Sequence, residues 1–385
     1  MKFAIIAFGF SGSTLPLAHY LSKEVSKVDC YYLTMINSDS IESLDFDCNI
    51  KYSSKPIIIK KTNAIYNYIN TSVNIKIIPL YKRKRKLEKI IIGRFINVAN
   101  KLICRKIAKE IAKQNYDVIN IIIHSEIDLY LCKLLYKYKQ KIIITYHEVL
   151  VDLVKGEKIK NVVKESLKLN TEIILHSEKT KNDLITYSST NITNKINIIN
   201  FGPFESYTSY KQNKNPINEK DYILFFGSLH QYKGLNILYE AIKCDEDLKD
   251  LKFVIAGNGN NEIVNVLKQD NRFIVINRYI RNEELVSLIK DCKFVICPYI
   301  AASQSGVVQT ALGLGKYILA TNIGAFSEII VEGKNGFLCE PNNPQNLAEK
   351  IRYVINNHKL LTPPLIPNKY NWSNIISEYL KIIKK

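Results

Sequence analysis

Three short runs dominate the first half of the chain: Val118-Ile119-Asn120-Ile121-Ile122-Ile123, Lys141-Ile142-Ile143-Ile144-Thr145-Tyr146 and Glu172-Ile173-Ile174-Leu175. Each is too brief for a buried helix and too rich in β-branched residues to favour one. They read as strands covered on both faces, the condition of a parallel sheet. Segments of helical periodicity separate them, so the expected unit is the strand–helix–strand repeat of a doubly wound α/β sheet. The N-terminus fits the same scheme: a strand over Phe3 to Phe8, a turn over Gly9 to Thr14, and a helix over Leu15 to Glu24.

The pattern recurs in the second half. Strands are expected at Tyr222 to Phe226, Phe253 to Ala256, Phe273 to Ile276 and Phe294 to Cys297, with helices at Asn236 to Ile242 and Asn282 to Lys290. A length of 385 residues suits two domains, since single cores stop growing well before that size. The expected division is residues 1–205, a polar linker at 206–220, a second domain at 221–365, and a C-terminal segment at 366–385 whose helix runs from Asn371 to Ile383.

In such sheets, ligands bind beyond the carboxyl ends of the strands. One strand end is especially suited to a phosphate. After Phe294 to Tyr299 come Ser303-Gln304-Ser305-Gly306-Val307-Val308-Gln309-Thr310-Ala311, a small polar loop that opens a helix. The first turn of a helix offers unpaired N–H groups and the positive end of the dipole. Gln304, Ser305, Gly306 and Val307 are therefore candidate diphosphate contacts; a plain Ser-capped helix is the bland alternative. Lys233, which follows a strand by a short loop and precedes Gly234, would place a cation on a sugar diphosphate and offset charge on the leaving group. Gly257, Asn258 and Gly259 form a turn beyond another strand.

Taken in order, Phe225 to Leu235, Val254 to Gly259, the block at 303–311, and Asn322 to Leu338 resemble the donor half of GT-B glycosyltransferases of the large retaining family 4. The likeness is clear over about residues 220 to 350 and faint before that. It implies two Rossmann-like domains facing across a cleft, with the C-terminal helix packed back on the first. It implies a retaining transfer from a nucleotide-diphosphate sugar to a hydroxyl of a glycan or lipid-linked saccharide, as in cell-surface polysaccharide synthesis. No cofactor and no metal are implied, and no Asp-x-Asp pattern lies at a strand end. Under the resemblance, Tyr279 and Ile280 fall in the base-binding loop, and Gly9, Phe10, Ser11 and Gly12 form a loop on the acceptor side. His147, in Tyr146-His147-Glu148, takes the place of a His that contacts donor sugar or acceptor hydroxyl.

Two departures stand out. Ser228 occupies the place of an arginine beside Gly227, and Ala302 and Thr310 occupy those of two glutamates with seven residues between them. Ser228 and Thr310 retain hydroxyls able to bond a phosphate and a ribose. A catalytically silent GT-B scaffold that docks on a membrane or partner is the alternative these changes raise; a sugar-nucleotide epimerase would need carboxylate and histidine pairs the chain does not offer.

Charge is unevenly distributed. Residues 1–200 hold 32 Lys and Arg against 18 Asp and Glu, a net +14, whereas the rest contributes +4 of the total of +18. The densest stretch is 82–109, from Lys82-Arg83-Lys84-Arg85-Lys86 through apolar residues at helical spacing beside Lys89, Arg94, Lys101, Arg105 and Lys106. It reads either as a basic amphipathic helix for an anionic membrane surface or as an ordinary helix with one face in the core. No helix-turn-helix, zinc-finger or RNP-like pattern points to nucleic acid. Eight scattered cysteines without metal-ligand spacing fit a reduced compartment. No run approaches the ~18 apolar residues of a spanning helix, and the N-terminus lacks a signal-peptide pattern. The expectation is a cytoplasmic protein, peripheral on the inner face of the membrane if the basic segment docks there.

Overall fold

The computed structural model describes residues 1–9, 11–36, 55–61, 63–81, 89–147, 156–188, 195–212, 215–302, 304–357 and 364–384. The chain forms two compact units: Met1–Phe201 with Trp372–Lys385, and Gly202–Asn371.

The first unit is built on eight strands: β1 (Lys2–Phe8), β2 (Lys27–Ile36), β3 (Ile57–Ile58), β4 (Val73–Tyr81), β5 (Val118–Ile122), β6 (Ile142–Thr145), β7 (Glu172–Leu175) and β8 (Ile196–Ile198). Their order is β3-β4-β2-β1-β5-β6-β7-β8, parallel throughout except for β3 at one edge. Both faces are covered, and the period-2 alternation of a strand sorts β1 between them. Phe3, Ile5 and Ala7 pack with Leu15, Leu17 and Leu21 of the helix Ser11–Leu21 and with the helix Trp372–Lys384. Ala4 and Ile6 pack on the other side with Ile103, Ile107 and Ile111 of the helix Lys89–Lys113 and with Leu131 and Leu135 of the helix Glu126–Lys137. The C-terminal helix belongs to this unit because Trp372, Ile375, Ile376, Tyr379, Ile382 and Ile383 recur at helical spacing and are all buried. Full burial of each such aliphatic side chain is worth about 1.5–3 kcal/mol.

The second unit has six strands, β9 (Ile223–Phe226), β10 (Phe253–Gly257), β11 (Phe273–Asn277), β12 (Phe294–Cys297), β13 (Ile318–Thr321) and β14 (Gly336–Cys339). All are parallel, in the order β11-β10-β9-β12-β13-β14. This is the doubly wound order whose strand sequence reverses between its first and fourth members, here β9 and β12. The crevice beyond that point is the expected ligand position.

The stretch 206–220, read from its polarity as a linker, packs within the second unit wherever it is described. A 3-10 turn at Glu205–Ser209 buries Ser206 and Ser209, Tyr210 is buried, and Asn215 donates to Asp291 at 2.7 Å and to Tyr222 at 3.2 Å. Polar side chains make the anchoring bonds there, so hydropathy does not reveal the packing. Likewise, the first helix starts at Ser11, four residues before the apolar periodicity begins.

Candidate functional site

In the second unit, chain continuing past β9 and β10 stays paired. Gly227 donates its N–H to Ala256 and Leu229 to Asn258, at 2.9 and 3.1 Å, which lays Gly227–Leu229 against Gly257–Gly259. The approach is too close for side chains. A Cβ on Gly257 would lie 1.7 Å from the Gly227 carbonyl oxygen, and one on Gly259 would lie 3.0 Å from Leu229 backbone atoms. Gly227 itself has φ +109°, a region open to glycine. Asn277, at the end of β11, braces the turn from its far side: its amide oxygen accepts from Gly259 N–H and its Nδ2 donates to the Gly259 carbonyl, both at 3.2 Å. Ser228 is half-buried in the middle of this glycine-lined ledge and Asn258 is exposed at its rim.

Lys233 ends a 3-10 turn (Gln231–Lys233) that lies on the chain leaving β12. Ile300 donates to the Tyr232 carbonyl at 2.8 Å, and Gly234, at φ +70°, passes so close that a Cβ would sit 1.8 Å from the Pro298 carbonyl oxygen. The lysine is buried. Its Nζ stands 3.8 Å from the centroid of the Tyr299 ring and 5.2 Å from that of Tyr232. Aromatic faces can hold a cation in a poorly hydrated place, and the positive charge is thereby fixed at the strand-order reversal.

The third component is the helix Gly306–Gly313. Ser305 precedes it with extended backbone and its side chain does not cap it. The first bond of the helical ladder runs from Gln309 N–H to the Ser305 carbonyl at 3.3 Å, leaving the amides of Gly306, Val307 and Val308 outside the ladder. Gly306 is exposed, Gln304 and Val307 are half-buried and Ser305 is buried. A Cβ on Gly227 would lie 3.2 Å from Val307, so helix start and glycine ledge adjoin. Thr310 is buried and its hydroxyl donates to the Gly306 carbonyl at 2.7 Å, so its proton is engaged inside the helix and only acceptor capacity is left for a ligand. Ala302 packs against the apolar core.

Beyond β11, Tyr279 is exposed and Ile280 packs on the core. Arg278 makes two 2.8 Å bonds to Glu284 and a third, 3.1 Å, to the Tyr279 carbonyl. The ion pair raises the pKa of Arg278 and lowers that of Glu284, and it fixes the backbone of this loop. Ser228, Lys233, Gly257, Asn258, Tyr279, Ile280, Gln304, Ser305, Gly306, Val307 and Thr310 thus all lie beyond the carboxyl ends of one sheet.

The remaining candidates lie in the first unit. Gly9 follows β1 at φ +76°, Ser11 and Gly12 open the first helix and are buried, and Phe10 lies outside the described residues. His147 follows β6 and is buried; Glu148 lies outside the described residues. Its ring meets His176 edge-on at 5.1 Å and Phe201 at 4.5 Å, while Phe201 stacks on His176 at 3.7 Å. Burial, with the neighbouring His176 and His124, holds the pKa of His147 well below the ordinary range, so near neutral pH its imidazole is uncharged.

His176, which follows β7, lines the same cavity as His147. Its Nδ1 lies 2.7 Å from the Ile199 carbonyl, which can only accept, so Nδ1 carries the hydrogen and Nε2 presents a lone pair. That Nε2 is buried without a partner among the described residues, at a cavity of about 20 Å³ lined by Ser13, Thr14, Thr145, His147 and Asn200 among others. Such a volume admits about one water molecule. Burial pushes the pKa of His176 down to about 4. The signal available in the sequence was the repeated His-Ser-Glu at strand ends: Ser125 and Ser177 each cap the helix that follows, and the histidine before each is left at the sheet's rim.

Among the described residues no group of three or more His, Cys, Asp or Glu is placed to hold a metal ion, and no helix is long and apolar enough to cross a membrane. The seven described cysteines are all unpaired.

The architecture is that of the GT-B fold. Over its whole length the chain resembles in fold Anabaena HepE solved with UDP and glucose (15% identity, TM-score 0.64, 98% of that chain covered). It also resembles sucrose-phosphate synthase from Thermosynechococcus elongatus (12% identity, TM-score 0.62, 94% covered). Residues 207–365 match the family model for glycosyl transferases group 1, and this segment belongs to that family. Among curated relatives, an uncharacterized glycosyltransferase of Methanocaldococcus jannaschii is 34% identical over 153 residues, 37% of this chain and 41% of the relative. The capsular polysaccharide biosynthesis glycosyltransferase CapM of Staphylococcus aureus is 22% identical over 241 residues, 56% of this chain and 63% of the relative. Alignment with the first of these relatives takes in about two-fifths of its length.

Proposed function

We propose that the protein is a retaining glycosyltransferase that moves a sugar from a nucleotide-diphosphate donor to a hydroxyl of a glycan or lipid-linked saccharide, in the synthesis of a cell-surface polysaccharide. The observation that carries the proposal is the convergence, beyond the reversal between β9 and β12, of a buried lysine, a glycine-lined ledge and an open helix start. Lys233 and the amides of Ser305 to Val307 supply a cation and N–H donors where a diphosphate would develop charge. Ser228 contributes a neutral hydroxyl in place of a second cation. In the reaction, the acceptor oxygen bonds to the anomeric carbon from the face the diphosphate leaves. The electron pair of the broken C–O bond passes to the diphosphate, and the hydroxyl proton follows it. Neutral His147, the turn at Gly9 and the helix start at Ser11 and Gly12 are assigned to the acceptor side, His147 as a hydrogen-bond partner of a sugar hydroxyl.

The HepE structures carry UDP, glucose and UDP-glucose, which supports a nucleotide sugar as the donor class here. CapM supports the polysaccharide setting. With Lys233 offsetting the charge of the leaving group, transfer is expected to need no metal and to survive a chelator, in the cytoplasm where such donors are made. The test is thermal stability against a panel of nucleotide sugars, because a ligand that binds only the folded state raises it by mass action. One donor should raise the transition of the wild type and leave that of Lys233→Ala unmoved. No shift with any donor, from folded protein, refutes the reading in favour of a silent scaffold.

A further inference from the structure

The helix Lys89–Lys113 carries more apolar surface than its core contact uses. Asn100, Ile103, Cys104, Ile107, Ala108 and Ile111 form the buried side. Yet Phe95, Val98 and Leu102 are 70%, 55% and 49% exposed. At spacings of three, four and seven residues these three fall on one stripe, opposite the buried side. Continued toward the C-terminus, the same stripe carries Lys106, Lys109 and Lys113, all exposed. None of the three makes an ion pair among the described residues, and Glu110 is the only acid between residues 95 and 113. On the flank, Arg105 and Lys101 turn toward Tyr130: Arg105 Nε donates to its hydroxyl at 2.9 Å and Lys101 Nζ lies 5.5 Å from its ring centroid.

We propose that this exposed face docks on an anionic lipid surface, with Phe95, Val98 and Leu102 entering the headgroup boundary and Lys106, Lys109 and Lys113 meeting the phosphates. Two arguments favour lipid over a protein partner. The stripe exposes on the order of 300 Å² of apolar surface, short of the roughly 450 Å² that is apolar in the ~800 Å² per partner of a standard protein interface. A few apolar side chains beside unpaired cations are, by contrast, what an interfacial helix needs, each cation adding to attraction for a negative surface. The charge also lies in the right half of the chain, since residues 1–200 hold +14 of the net +18. The inference rests on the first unit alone and is independent of the donor site.

The test is flotation of the full chain with phosphatidylcholine vesicles, with and without phosphatidylglycerol, at low and high salt. Binding should require the anionic lipid and weaken with salt. Phe95→Ser with Leu102→Ser should lower it about tenfold or more, and Lys106→Gln, Lys109→Gln and Lys113→Gln together about a hundredfold at low salt. Both variants change only exposed side chains, so their melting temperatures and any nucleotide-sugar shift should match the wild type. Equal binding to neutral vesicles, no binding to either kind, or variants that bind as the wild type does would overturn the proposal. So would a dimer in sedimentation that the apolar double variant dissociates while vesicle binding is absent, which would make the occupant a second copy.

Discussion

Gly234→Ala separates the backbone argument for the lysine site from general glycine effects. Gly234 sits at φ +70° and a Cβ there would lie 1.8 Å from the Pro298 carbonyl oxygen and 2.8 Å from its carbon. Gly315 has nearly the same φ, +73°, with nothing within 4 Å of the added atom. Alanine at either position therefore incurs the left-handed backbone penalty of about 1–2 kcal/mol. At Gly234 alone the added carbon also forces the Lys233 turn off the chain leaving β12, a displacement of backbone from backbone that costs about 1–3 kcal/mol more. Urea denaturation followed by far-UV circular dichroism measures the difference. The single tryptophan, Trp372, belongs to the first unit, so its fluorescence serves as an internal reference that should move little. Moving Lys233 should also abolish the donor-induced stabilisation in Gly234→Ala and spare it in Gly315→Ala. Equal losses in the two variants would refute the claim that the lysine turn is held by close packing on Pro298.

The two 3.2 Å bonds exchanged between Asn277 and Gly259 predict that Asn277→Ala costs about 1–2 kcal/mol and weakens donor binding through the loosened turn, a combination that calorimetric titration and denaturation can check together. His176, with its pKa lowered to about 4 by burial, binds a proton less readily folded than unfolded. Its share of stability is full above pH 6.5 and is lost as pH falls toward 4, about 3 kcal/mol, and His176→Gln should flatten that slope in denaturation curves taken across the window. Asp128 has the opposite sign. Burial raises its carboxyl to about 7, so the folded state holds the proton from pH 3.8 upward and about 4 kcal/mol is lost as pH rises to 7; Asp128→Asn should remove this loss, and a variant curve parallel to the wild type would contradict the assignment.

Strands buried on both faces were legible as Ile-rich runs, which is why β5, β6 and β7 were found to within a residue or two of their ends. β2 and β4 were not legible, because each carries charge into the sheet. Asp29 is fully buried and accepts from Lys76 and Asn74, each at 2.8 Å, and from the Tyr116 hydroxyl. Burial pushes the carboxyl's pKa up, but these partners outweigh it and the net shift is downward. Only the pairing makes these strands apolar in effect, and the partners lie 45 and more residues away in sequence. The glycines of the donor-side ledge were visible as a pattern, but the reason for them, backbone on backbone between Gly227 and Gly257, exists only in three dimensions. Thr310 shows the reverse: its hydroxyl suggested a ribose contact, and the helix itself takes its proton through Gly306. In the basic segment, residues 82–88 lie outside the described residues. The helix that follows shows both a core face and an exposed apolar stripe, two readings that sequence periodicity presents as alternatives.

On the function proposed here, the second unit's lysine, ledge and helix start bind a nucleotide-diphosphate sugar in order to break its bond to the sugar. The most direct measurement is release of nucleoside diphosphate from whichever donor stabilises the protein, with wild type and Lys233→Ala side by side. Slow release without an acceptor, accelerated by a saccharide acceptor and absent in Lys233→Ala, is the result expected. Donor binding by the wild type with no release under either condition would contradict the account and leave a nucleotide-sugar-binding protein that performs no transfer.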